Sequence, residues 1–385
     1  MKKALATILA LVMALGLTTA AWAEGEGATK VAKIGDTEYA TLQEAVNAAA
    51  NGQTIVLQSN VVLTASLNVA AGKTVTLDLN SCKITADMNG PHMICNAGNL
   101  TITDSSENKT GEIAKIGAET NFGYVIENHG TMTLDRCKIS STSVKSSAIE
   151  NGWYTASENT AGTSCIMTIQ NAEVVSVNAA GGLYTVKNDD YGVMVINGGV
   201  FTNGVAGAGA VLNWNDLTIN GGTFTGASAV RTLKSGSSDF ETGKSQIKNG
   251  TFNGGIDTLD GYKTGITIAV TGGTFSTDVK EYLAEGKILQ KNGDTYTAVT
   301  NSGITSGTYT AKPTVPDGYK VVENTDGTFT VEKVGGYYYY QPTTDTKTTD
   351  TKGSPKTFDA GIALYVGMAL TSAAGVAFVG KKRED

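Results

Sequence analysis

Histidine, arginine, proline and charge are all scarce in this chain of 385 residues. There are two histidines (His92, His129), three arginines (Arg136, Arg231, Arg383) and five prolines, and charged residues make up 17 % of the whole. A chain of net charge −7 with three arginines has no basic surface for phosphates, which excludes nucleic acid as a partner. His92 and His129 fall at different points of the repeat described below, so no zinc site is expected from them with the cysteines. Low charge beside 41 % hydrophobic residues excludes a charge-driven disordered protein. The 47 glycines keep no three-residue period, which excludes collagen. No glycine-rich stretch lies between a strand and a helix, as a phosphate loop requires. The four cysteines, Cys82, Cys95, Cys137 and Cys165, are too few for a disulfide scaffold. Their even number permits bridges in an exported protein, and free buried thiols are the other reading.

Long hydrophobic runs occur at the two ends. "MKK", an apolar run from Ala4 to about Leu17 and an A-x-A ending at Ala23 read as a secretory signal peptide over 1–23. Its removal takes Lys2 and Lys3 and shifts the charge from −7 to −9. Ala360 to Gly380 has no charged residue and reaches the roughly 20 residues that span a bilayer. "KKR" follows at once, which places the basic tail in the cytoplasm and the body outside the cell. The span 358–385 is therefore expected to be a transmembrane helix with a basic tail.

Between the ends, Thr, Val, Ile and Asn recur as short alternating strands. "INGGVF" ends at Phe201, "INGGTF" at Phe224, "IKNGTF" at Phe252 and "VTGGTF" at Phe275. Ile84, Ile113, Ile139 and Val174 extend this column towards the N-terminus, with steps of 23 to 35 residues. Such a spacing marks a solenoid whose insertions fall in loops. A second column is apolar-x-Asn, at Asn96, Asn128, Asn151, Asn188 and Asn213, each followed by an alternating strand such as "NLTIT" or "TMTLD". Strands this short bury a face only when stacked, roughly 4.8 Å apart. Phe201 and Phe224 should then stack inside, while Gly and Asn serve the turns at positive φ. In register, the asparagine amides can bond up and down the stack.

The pattern predicts an all-β solenoid of stacked coils over 24–283, with an N-terminal capping helix and C-terminal β-hairpins. Thr41 and Glu44 form a T-x-x-E capping box, so a helix is expected at 41–50, over the N-terminal end of the stack. "GKILQKNGDTYTAV" and "GYKVVENTDGTFTV" read as hairpins within 284–334. The Thr/Lys/Asp-rich stretch 335–357 reads as a flexible linker with a sorting motif.

"YATLQEAVNAA" (Tyr39 to Ala49) and "TVTLDLN" (Thr74 to Asn80) resemble cell-surface β-helix proteins of Gram-positive gut bacteria, within the pectate-lyase-like superfamily. The resemblance covers about residues 31–300 and implies that the solenoid is a right-handed parallel β-helix. The superfamily mixes enzymes with non-enzymes, so it does not imply an activity. "SPKTFDAG", with Ser354, Pro355, Lys356 and Thr357, resembles a sortase signal of the S-P-x-T-G form, except that Phe358 replaces the glycine. It implies cleavage after Thr357 and attachment to peptidoglycan. Retention of the membrane helix is the other reading. Either way the body is extracellular, at the cell surface, anchored to wall or membrane.

Sites for chemistry are few. A β-helix lyase needs clustered Asp for calcium and a basic residue on one flank. Asp135 and Arg136 are adjacent, and neighbours in a strand point to opposite faces, so turn polarity is their expected role. Calcium therefore enters only with the lyase reading, and no other cofactor is expected. Glu127 and Glu150 precede ladder asparagines on successive coils, near the roughly 5 Å spacing of retaining glycosidases. The plainer expectation for them is a solvated face, with Lys187 of the next coil relieving repulsion. The turns after the asparagines carry His129, Trp153, Tyr154, Asp189, Asp190, Tyr191, Trp214 and Asp216, which should share one edge. Exposed aromatics beside acids and amides suit sugar rings, unless they tuck under the excursion from Gly152 to Ser164. The functional expectation is a binding, adhesion or structural module facing glycans or a host or neighbouring cell surface, with a polysaccharide lyase or glycoside hydrolase as the alternative.

Overall fold

Alternation with period two decides which side chains enter the core. In Asn99–Thr103, Leu100 and Ile102 are buried while Thr101 and Thr103 face outwards. The same alternation recurs along a long, mostly parallel sheet. A computed structural model describes residues 29–117, 121–154, 158–159, 161–177, 183–234 and 243–335. The described part is nearly all β and ends one residue past a compact unit closing at Val334. The expected signal peptide, the linker and sorting residues Ser354 to Thr357, and the apolar C-terminal segment lie outside the described residues. Among the described residues no helix is long and apolar enough to cross a membrane.

Three parallel ladders run through the repeats. The first pairs Gln53–Leu57, Thr74–Asp78 and Asn99–Thr103 and continues to Thr267–Val270, stacking Ile55, Leu77, Ile102, Leu134, Ile169, Ile196, Ile219, Ile247 and Val270. The second stacks Ile84, Ile113, Ile139, Val174, Phe201, Phe224, Phe252 and Phe275, the column read from the sequence. The four phenylalanine rings are wholly buried, with centroids 4.9, 5.0 and 4.9 Å apart.

Between these two ladders the chain turns a corner. At Gly199 and Gly222 φ is +112° and +111°, a region that L side chains rarely adopt. A Cβ on Gly199 would also stand 2.3 Å from the Ala172 carbonyl oxygen one coil below. "INGG" is thus a corner that must pass close to the previous backbone. Arg136 occupies the equivalent corner of its coil with φ +52°. There the register shifts, alternation is broken, and Arg136 Nε comes 3.0 Å from Asp135 Oδ2. The two side chains pair on one side instead of pointing to opposite faces.

The third ladder carries the asparagines in register: Asn96, Asn128, Asn151, Asn188, Asn213. Each amide donates to the next, at 2.7, 2.7, 2.8 and 2.8 Å, and all five are buried. Backbone carbonyls of the following turn take the other amide proton, as Cys165 O does from Asn151 at 3.1 Å. The ladder therefore satisfies buried turn backbone that water cannot reach. Asn151→Leu keeps the branched shape but orphans Asn188 Oδ1 and the Cys165 carbonyl. A loss of about 2–3 kcal/mol in urea unfolding is expected. The exposed ladder Asn220–Asn197–Gln170 (2.7 and 2.8 Å) is the control. There water replaces a lost amide, and Asn197→Ala should stay within about 0.5 kcal/mol of wild type.

At the N-terminal side a helix forms at Leu42–Ala48, shorter than the 41–50 read from the sequence. Thr41 Oγ1 accepts from the Glu44 N–H at 3.2 Å, and Glu44 Oε2 accepts from the Thr41 N–H at 3.1 Å. Gln43 takes both backbone groups of Asn68, at 2.8 and 3.0 Å, on the first strand of the third ladder. Beyond Thr274–Phe275, the last strand of the second ladder, strand pairing becomes antiparallel: Lys287–Asn292 with Thr295–Thr300, and Tyr319–Glu323 with Phe329–Lys333. A second small core of Ile288, Ile304, Tyr309 and Val331 lies there.

Candidate functional site

Since the ladder asparagines point inwards, the residue before each points outwards. The outer column of the third ladder reads Asn68, Cys95, Glu127, Glu150, Lys187, Leu212, Arg231, Asp257. Acidic and basic side chains meet on consecutive rungs. Glu150 Oε1 is 3.7 Å from Lys187 Nζ, and Arg231 holds Asp257 by two bonds of 2.6 and 3.0 Å.

Loops roof this column over its middle coils. The segment before Ile126 brings Phe122 and Tyr124, and the excursion after Asn151 brings Trp153, Tyr154 and Glu158. Together with His92, Glu127, His129 and Glu150 they line a cleft of about 560 Å³. Tyr124 is buried, stacks on His92 (centroids 5.1 Å, planes 15° apart) and meets Phe122 edge-on at 4.9 Å. Trp153 lies flat on His129, with centroids 3.7 Å and planes 3° apart. Tyr154, 62 % exposed, stands at the mouth with Lys187 Nζ 4.8 Å from its ring centroid.

Glu150 is only 2 % exposed. Tyr124 Oη donates to its Oε1 at 2.8 Å, and Asp189, ion-paired with Lys187, accepts from its other side. Burial, with the Asp189 charge behind it, pushes the Glu150 carboxyl up to about 8 despite the opposing pull of Lys187. Glu150 at neutral pH is therefore mostly a neutral acid inside a network of no net charge. Burial also raises Tyr124 and Asp189.

Glu127 differs. Its side chain is 18 % exposed, and its Oε1 lies 3.3 Å from His92 Nε2 and 3.9 Å from His129 Nε2. His92 Nδ1 accepts the Tyr124 N–H at 3.0 Å, so the ring proton sits on Nε2, facing Glu127. Burial lowers His129 and raises the Cys95 thiol to about 11, which leaves both neutral beside the carboxylate. Desolvation raises Glu127 itself, and the charge of Glu158 adds to the rise.

The structure brings five of the residues singled out from the sequence to one place: Glu127, His129, Glu150, Trp153 and Tyr154. The solvated face expected for the two glutamates is not what forms, because the loops close over them, although Lys187 does stand on the next rung. Asp189 and Asp190 are buried rather than presented at the edge, and the Asp190 carbonyl accepts the Trp153 N–H at 2.9 Å. Tyr191, at φ +62°, and Trp214, edge-on to Tyr262 at 6.0 Å, do not line the cleft. His92 and His129 both reach Glu127 although they lie at different points of their coils. The strand that carries Glu127, Ile126–Asn128, is only three residues long, roughly 10 Å, so groups at either end reach its middle.

His92, Phe122, Tyr124 and Glu158 were not read as one site from the sequence. A signal existed for two of them: His92 and Tyr124 each stand two residues before the ladder isoleucine, Ile94 or Ile126, which places one ring over the other. The four cysteines are free, with Cys137 and Cys165 buried. No group of three or more His, Cys, Asp or Glu among the described residues is placed to hold a metal ion. Compared with family models, curated proteins and solved structures, the chain matches none.

Proposed function

We propose that this chain is an exported, surface-anchored parallel β-helix that binds glycans in the cleft over Glu127 and Glu150. The aromatic-walled cleft itself carries the reading: a volume of about 560 Å³ accommodates a short run of sugar rings. Ring faces at Trp153 and Tyr154 suit the C–H faces of a pyranose, and Glu127 and His129 at the floor accept and donate to hydroxyls. The β-helix form rests on the three parallel ladders, one strand of each per coil, and on the corner glycines. Export and anchoring rest on the N-terminal and C-terminal sequence patterns, with sortase and peptidoglycan, or the membrane, as partners. A surface-anchored chain of this kind would present the cleft to its surroundings, as an adhesin requires.

A β-helix glycoside hydrolase is the second reading. One observation favours it: Glu150, held neutral, and Glu127 lie on adjacent rungs, the acid and base pairing that such chemistry uses. Against it, the Glu150 oxygens are engaged by Tyr124, Lys187 and Asp189 and face little open space. A general acid must reach the glycosidic oxygen.

Calorimetric titration with neutral, acetylated, uronic and amino oligosaccharides tests the proposal. Trp153→Ala should weaken the best ligand about tenfold or more by removing a stacking face, while Trp214→Ala should leave it unchanged. Absence of binding across the panel would sink the reading. Turnover that vanishes in Glu150→Gln would establish the hydrolase instead.

A further inference from the structure

Within that glycan-binding reading, we propose that the cleft selects amino sugars bearing a free ammonium group, with Glu127 as the counter-ion. Among the described residues the lining contains Glu127, Glu150 and Glu158 and no lysine or arginine. Two of these charges are not equivalent. Glu150 is answered within the protein, by the Tyr124 hydroxyl and the Lys187–Asp189 pair. Glu127 is surrounded by neutral groups: two donors, the His92 Nε2–H, held in that tautomer by the Tyr124 amide, and the Cys95 thiol, and, 3.9 Å away, the His129 ring, flattened on Trp153 and bonded to the Gly152 backbone. Neutral donors orient a carboxylate and leave its charge in place. A carboxylate with that charge uncancelled, in a partly desolvated cleft, is stabilised by a cation from solution.

The walls have the same preference. Aromatic faces attract cations, and Tyr154 already presents one face to the Lys187 ammonium at 4.8 Å. Glu158 at the rim adds negative potential. A uronic acid would place like charge against Glu127. A neutral or N-acetylated sugar would leave the Glu127 charge unanswered. An ammonium on a pyranose ring answers it with up to three N–H donors while the ring stacks on Trp153 or Tyr154.

Glucosamine oligomers, their fully N-acetylated counterparts and cello-oligomers share one backbone and differ at a single ring position. Titrated into the wild-type protein at low ionic strength, the glucosamine form should bind at least about tenfold more tightly than either other form. Glu127→Gln, which keeps the shape, should abolish that preference and leave the weak affinity that stacking supplies. High salt should narrow the preference in the wild-type protein too, since it screens the ion pair. This last measurement stands should the variant fail to fold. Equal or tighter binding of the acetylated or neutral oligomers overturns the proposal while glycan binding survives. A preference retained in Glu127→Gln overturns the assignment of Glu127. No binding by any form sinks the glycan reading as well.

Discussion

Raising the pH from about 4.5 to about 8 is expected to cost the wild-type protein stability, and Glu150→Gln is expected to abolish most of that loss. The Glu150 carboxyl moves from 4.5 up to about 8 on folding, because burial disfavours its charged form. Its folded-state pKa is raised, so its contribution is fully present below about 4.5 and is lost as pH rises through about 8. Over that window the folded protein binds a proton that the unfolded chain has released, and stability falls with pH. A shift of this size corresponds to a difference on the order of 3–4 kcal/mol between the two ends of the window. Gln is shaped like the protonated acid, accepts from Tyr124 Oη through its own oxygen and offers an N–H to Asp189. Wild type and variant should therefore be alike near pH 4.5, and the variant the more stable near pH 8. Glu127 and Asp189, also raised, slope the same way, and His129, lowered, slopes against them. Comparing the two proteins isolates Glu150. Urea unfolding across the pH range is the measurement, and parallel profiles would show that Glu150 is charged in the folded state.

Phe224→Ala should lower the unfolding free energy by about 4 kcal/mol. Phe224 lies between Phe201 and Phe252, at 4.9 and 5.0 Å with planes 5° and 6° apart, and all three are wholly buried. Near-parallel rings at this spacing fall in the range of offset stacking, which adds about 0.5–1.5 kcal/mol per pair, so burial still supplies most of this energy. The cavity cannot collapse, because hydrogen bonds to the coils on both sides hold the strand at its spacing. Phe224→Leu, which refills most of the volume, should cost about 1–1.5 kcal/mol. Urea unfolding with an unchanged m-value checks both. A loss under about 1 kcal/mol for the alanine variant would mean that the neighbouring rings close the gap.

Much of the fold was legible because in-register parallel ladders turn long-range pairing into local periodicity. Ile84 and Phe275 are distant in sequence, yet both are read from one column. The same holds for the asparagines, whose in-register amides had to meet once the strands were placed. "INGGTF" was equally readable: its second glycine is demanded by a positive φ and by the backbone of the coil beneath.

The site was legible only in part. Glu127 and Glu150 could be placed on adjacent rungs from register alone, but whether they face water depends on loops of unequal length that obey no period. The segment around Phe122 and Tyr124 and the excursion at Trp153 close over that face, and this closure makes Glu150 a neutral acid and turns Asp189 and Asp190 inwards. Alternation gave the side of the sheet on which each residue lies. Burial, tautomer and charge came from contacts across loops, because solvation and electrostatics depend on distance in space and not on position in a repeat.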